Sequence, residues 1–121
     1  MFDSPPRHMD LIKKHCIPCE GGAPPLTMEQ IRKYLAQTPS WDFLEKPHHV
    51  IRREFKFKNF VEAMTFVNKI AALAEQEGHH PDINIHYNQV ILELWTHAVG
   101  GLSENDFILA TKINQISGTI L

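Results

Sequence analysis

Residues 59 to 78, N-F-V-E-A-M-T-F-V-N-K-I-A-A-L-A-E-Q-E-G, constrain the fold more than any other part of the chain. Phe60, Met64, Val67, Ile70, Ala71 and Ala74 recur at helical spacing and predict an amphipathic helix. Asn59 is placed to cap its start, with Glu62 three residues on, and Gly78 to end it as a left-handed residue. On either side lie two short segments in which apolar and polar residues alternate with the period of a strand. A helix set between two hairpins has to bury its stripe against the sheet those hairpins form.

The first predicted hairpin joins Trp41 to Glu45 with His49 to Lys58 around Lys46 and Pro47. In its second strand Ile51, Phe55 and Phe57 face one side and Arg52, Glu54 and Lys56 the other, with Arg53 interrupting the apolar side. The second hairpin pairs Ile83, Ile85 and Tyr87 with Val90 to Thr96 across a turn at Asn88-Gln89. Thr27 and Gln30 form a capping box for a helix running to about Gln37, which Pro39 ends. Ser103 caps a last helix whose apolar surface is Phe107, Leu109, Ala110, Ile113 and Ile116, with Gly118 as its stop. The order is α-β-β-α-β-β-α. It predicts an α+β domain, a four-stranded antiparallel sheet with three helices on one face. Residues 1–25 read as an irregular, partly mobile lead-in, 26–118 as the domain and 119–121 as a tail.

The chain has 121 residues and a formal charge of −2, enough for one core and too little positive charge for a nucleic-acid surface. No apolar run approaches a membrane span, and the first residues lack the apolar segment of a secretory signal, so a cytoplasmic address is expected.

Eight histidines are the unusual part of the composition. His79 and His80 follow the predicted end of the long helix, where free carbonyls favour imidazolium. Pro81 holds His80 extended and helps part the two side chains. His97 is expected on the second strand of the second hairpin. Three imidazoles on rigid elements, with Trp95 and Tyr87 near, suit acid–base work on a flat polar ring. Glu75, one turn before His79, either orients it or is a solvated carboxylate. Asp106 either orients a histidine or complements its helix dipole, and the second is favoured. Trp95 and Tyr87 read first as packing residues, with a pocket role open. Three histidines are also a potential zinc set, but no acidic or sulfur ligand stands at recognised spacing.

Taken in order, Glu75, His79, His80, Pro81, Tyr87, His97 and Asp106 fill a pattern that resembles the pterin-4a-carbinolamine dehydratase family, with agreement from about Leu26 to Ile116. The resemblance implies the same α+β fold and a hydro-lyase acting without metal or cofactor. The implied reaction is dehydration of 4a-hydroxytetrahydrobiopterin, or a related pterin, to the quinonoid dihydropterin in tetrahydrobiopterin recycling. It implies acid roles for His79 and His97 from different sides of the ring and mainly substrate binding for His80. Glu75, Asp106 and Trp95 complete the expected substrate-binding set. A homodimer or homotetramer is implied as well. Animal members also stabilise dimers of a homeodomain transcription factor through a helical surface, so a protein-binding role is the alternative. A related role in molybdopterin metabolism is a third.

Cys16 and Cys19 form a C-x-x-C, the spacing of redox sites and of half a zinc site. Neither a following helix nor a second pair is present, though His15 is adjacent. Inert reduced thiols are the favoured reading.

Overall fold

The computed structural model describes residues 11–18 and 23–120, the last two without their side chains. Cys19 lies outside the described residues. The elements are α1 (Met28–Leu35), β1 (Asp42–Leu44), β2 (Val50–Lys56), α2 (Phe60–Glu77), β3 (Asp82–His86), β4 (Gln89–Leu94), a 3-10 turn (His97–Val99) and α3 (Glu104–Ile120). Residues 11–13 are helical in addition. The strands form one antiparallel sheet in the order β1-β2-β4-β3, so each hairpin contributes one central strand and one edge. The α+β architecture is therefore the expected one.

Local chemistry explains the boundaries. Thr27 and Gln30 make the reciprocal capping box that starts α1. The helix stops at Leu35, two residues earlier than expected, and the chain turns through 36–40 before Trp41. Asn59 accepts the Glu62 N–H at 2.9 Å and starts α2. Gly78, at φ 68°, ends it as the left-handed residue the sequence called for.

The core lies between the sheet and the helices. From β2 come Ile51 and Phe55, from β4 Val90, Leu92 and Leu94, from α2 Phe66 and Ile70, and from α3 Phe107, Leu109 and Ile113. Each such side chain contributes roughly 1.5–3 kcal/mol when fully buried. Arg53, which breaks the apolar alternation, keeps its place on the core side. Its guanidinium lies 4.4 Å from the centre of the Phe55 ring and bonds the Asn114 Oδ1, which also accepts the Trp41 indole N–H.

Four expectations need correction. The second hairpin turns at Tyr87-Asn88, one residue early, because Tyr87 takes the left-handed conformation at φ 54°. Tyr87 is consequently an exposed tip residue and no packing group. Strand β4 ends at Leu94, so His97 opens the 3-10 turn that follows. Gly118 does not stop α3, which continues to Ile120.

Candidate functional site

Where the helix α2 ends, the chain must reverse into β3, and it does so with His79, His80 and Pro81. Where β4 ends, it turns through His97–Val99 before α3 begins. A Thr96–Gly101 bridge closes that second turn. A side chain at Gly101 would meet Pro25 at 3.1 Å, so glycine lets the segment before α1 lie close. The two turns sit together and enclose a cavity of about 490 Å³. His79, His80, Pro81, Trp95 and His97 all line it, so all three sequence-nominated histidines come to one place.

Their surroundings differ. The His79 Nε2 lies 2.6 Å from Asp106 Oδ1, and the Asp106 side chain has no exposed surface. The other oxygen, Oδ2, accepts the Thr96 hydroxyl at 2.8 Å and the Ser103 N–H at 2.9 Å. With the Thr96 proton committed there, the Ser103 hydroxyl donates to Thr96 Oγ1 at 2.7 Å. A buried carboxylate held by three donors is a fixed acceptor, and a carboxylate can only accept. Nε2 of His79 therefore carries a proton, and Nδ1 is the atom left for exchange. Asp106 thus serves both readings proposed for it. It orients a histidine, and through Ser103 it satisfies the start of α3.

Glu75 does not reach His79. Its Oε2 lies 2.7 Å from His80 Nε2, and both side chains are largely exposed. The residue five positions on, and not four, takes the carboxylate, because the chain has already left the helix at Gly78.

His97 is exposed and stacks on Trp95 with ring centroids 3.8 Å apart. On Trp95 a second imidazole stacks, His48, at 3.6 Å. Trp95 packs against the core as well as lining the cavity, which joins its two readings. His48 escaped the sequence reading because it belongs to the β1–β2 turn, 47 residues before Trp95, with no shared period to link them.

Sequence reasoning also missed Ile17, Pro18 and Asn105, which line the cavity as well. The lead-in is not wholly irregular where it is described. Leu11 is in the core, and residues 14–18 run across the ends of α2 and α3. Cys16 is half-buried, and burial first, then the nearby Glu77 and Asp106, push its thiol up to about 12. Such a thiol carries almost no thiolate near neutrality. Among the described residues no three His, Cys, Asp or Glu side chains are grouped closely enough to hold a metal ion. No described helix is long and apolar enough to cross a membrane.

The two-hairpin sheet and the histidine-lined cavity at its end define a small α+β domain with an imidazole-lined cleft. The chain belongs to the pterin 4 alpha carbinolamine dehydratase family, whose model matches residues 24–116. A Nitrosospira multiformis protein is 50% identical over 107 residues, covering 88% of this chain and 92% of the relative. One from Rickettsia canadensis is 53% identical over 106 residues, covering 87% and 95%. Both bear the provisional name pterin-4-alpha-carbinolamine dehydratase. A solved structure from Brucella melitensis, described as a transcriptional coactivator/pterin dehydratase, matches with a TM-score of 0.73 at 35% identity, covering 78% of this chain and 99% of that one. A pterin dehydratase-like protein described as a RuBisCO assembly factor in the alpha-carboxysome matches at 0.56 and 26% identity, covering 65% and 90%.

Proposed function

We propose that this protein dehydrates a 4a-hydroxytetrahydropterin to the quinonoid dihydropterin. The observation that carries the reading is His79, locked by buried Asp106 beside a cavity that also holds His80, Trp95 and His97. Hydroxide leaves poorly, so an acid must protonate the 4a-oxygen as the C4a–O bond breaks. The lone pair on N5 then forms the C4a=N5 bond, and the N5 proton passes to a base. One proton is taken up and one is given back, so imidazoles suffice and no metal or cofactor enters the step. Nδ1 of His79 is the exchanging atom on one side of the ring, and His97, braced by Trp95, serves the other. His80, exposed and tied to Glu75, contributes substrate binding. Tetrahydrobiopterin recycling in the cytoplasm is the setting this chemistry fits.

The test is turnover of chemically generated 4a-hydroxytetrahydropterin, followed by stopped-flow absorbance for each 4a stereoisomer. His79→Ala and His97→Ala should each slow turnover by roughly 10²–10⁴-fold, each favouring a different stereoisomer. Their double variant should lose more than either. Chelator should leave the rate unchanged. Folded variants with wild-type rates, or an activity abolished by chelator and restored by zinc, would sink the mechanism.

Self-association belongs to the same proposal. Strand β3 is a sheet edge, and Ile85 and Tyr87 stand exposed on it and its turn. An unpaired apolar edge gains by pairing with a second copy. Sedimentation velocity should show a dimer or tetramer; a monomer at every concentration refutes it. A protein-binding role is the second reading. It is favoured by Phe60 and Val61, exposed side by side on the first turn of α2, and by the coactivator description of the Brucella relative. Purification from the native source tests it: a stoichiometric partner lost on Val61→Glu supports the role, and the bare homo-oligomer counts against it.

A further inference from the structure

The strap formed by residues 14–18 is fastened with unusual care for a segment that precedes the family-matched region. Glu77, in the last turn of α2, has a side chain only 2% exposed. Its Oε1 accepts the Cys16 N–H at 2.8 Å, and its Oε2 lies 2.9 Å from His15 Nδ1 and 3.8 Å from Lys112 Nζ. Asn105, in the first turn of α3 and 5% exposed, holds both sides of the Ile17 backbone. Its Oδ1 accepts the Ile17 N–H at 3.1 Å, and its Nδ2 donates to the Ile17 carbonyl at 2.6 Å. Lys112 also donates to the Ile12 carbonyl at 3.0 Å, and Lys14 to Glu104 at 2.8 Å. A buried carboxylate and a buried amide are costly to desolvate unless satisfied. Here it is the strap's backbone that does much of the satisfying.

What that fastening presents is an apolar side chain left in the open. Ile17 is 69% exposed, although its backbone is pinned at both N–H and C=O. With Pro18 it lines the same cavity as His79, His80, Trp95 and His97. Besides the imidazoles and the indole, that lining carries the polar Asp82, Thr96 and Asn105 and only two small apolar side chains, Pro81 and Ala98. An immobilised, exposed isoleucine facing a cleft that suits a flat heteroaromatic ring is placed to cover that ring when it binds.

We propose that Ile17 is a substrate-contacting residue, the apolar wall of the cleft, and that Glu77 and Asn105 are its positioning residues. The proposal rests on the dehydratase reading and adds to it. Affinity for the pterin is set partly by chain that lies outside residues 24–116, the region matched by the family model. Ile17 holds no proton that the reaction uses, so its loss should appear in substrate binding and leave the chemical step alone.

The experiment compares the full-length wild type with Ile17→Ala, Ile17→Val and Asn105→Ala. Each is measured for kcat and KM with 4a-hydroxytetrahydropterin, and for the rate of trypsin cleavage after Lys14. Ile17→Ala should raise KM about tenfold with kcat within about twofold, the signature of binding lost equally from ground and transition states. Ile17→Val should retain most of the wild-type KM. Asn105→Ala should release the strap, speed cleavage after Lys14 and raise KM at least as far as Ile17→Ala. Because Ile17 is exposed, its variants will fold and decide the matter even if Asn105→Ala does not. An active wild type whose KM is unchanged by Ile17→Ala overturns the wall and leaves the dehydratase reading standing. An inactive wild type overturns the dehydratase reading, and the contact falls with it.

Discussion

Two carboxylate–histidine pairs stand side by side at the end of α2, and they differ in nearly everything except their chemistry. His79 meets Asp106 at 2.6 Å with side-chain exposures of 12% and 0%. His80 meets Glu75 at 2.7 Å with exposures of 58% and 79%. Similar distances therefore hide a large difference in worth. An exposed pair competes with water and contributes about 0–1 kcal/mol. The buried one is fixed by the Thr96 and Ser103 donors as well, so its geometry cannot drift. Adjacent histidines are given different surroundings by their partners, one ring buried and fixed and the other exposed and adaptable, which is the contrast that the proposed proton-exchange and binding roles need.

The largest expected effect breaks the inner pair without emptying its space. Asp106→Asn keeps an acceptor and adds an amide donor, so the amide can turn and fix His79 in the other tautomer, with Nδ1 protonated in place of Nε2. Turnover should fall by roughly 10²–10³-fold in kcat with KM little changed. The measurement is single-turnover rate beside a thermal melt. A folded Asp106→Asn protein with kcat within a few-fold of wild type would show that the tautomer lock is structural only.

How much of this was legible in the sequence follows from the range of the forces involved. Caps and periods act over a few residues, so Thr27, Asn59, Gly78 and the buried face of β2 could be read directly. The Tyr87 turn was missed because a tyrosine at positive φ defies the usual preference for Asn or Gly there. Long-range partners were the harder part. The resemblance implies that Asp106 belongs to the set, but only the fold shows its second oxygen holding Thr96 and Ser103. The choice of Glu75 for His80 depended on the chain's exit angle after Gly78. His48, Glu77 and Asn105 carried no local signal at all. Each acts through a contact more than 40 residues away in sequence, and nothing within its own segment distinguishes it from an ordinary polar residue.

The smallest expected effects sharpen the same contrast within a single helical turn, where Glu75 and Glu77 sit two residues apart. Both lie at the C-terminal end of α2, where a negative charge meets the helix dipole unfavourably and the last turn itself carries no lysine or arginine. Glu75 points outward and Glu77 is buried under the strap. Burial alone would raise the Glu77 pKa, but the Cys16 N–H, His15 and Lys112 outweigh it and hold the carboxyl below the ordinary glutamate range. A carboxylate with a depressed folded-state pKa stabilises the fold above its unfolded pKa. That contribution is lost as pH falls from about 4.3, the unperturbed glutamate value, through the lower folded value. Glu77→Gln should therefore cost about 2 kcal/mol at pH 7, the scale of a hydrogen-bonded buried charge, and the variant's deficit should shrink steadily below pH 4. Glu75→Gln should shift stability by no more than about 0.5 kcal/mol at either pH, because its screened bond to His80 and its clash with the dipole nearly cancel. Urea unfolding of both variants at pH 7 and pH 3.5 measures the four values. Equal losses for the two glutamates at pH 7, or a Glu77→Gln deficit that does not change with acid, would mean that the strap is held by its other contacts and that the buried carboxylate is incidental to it.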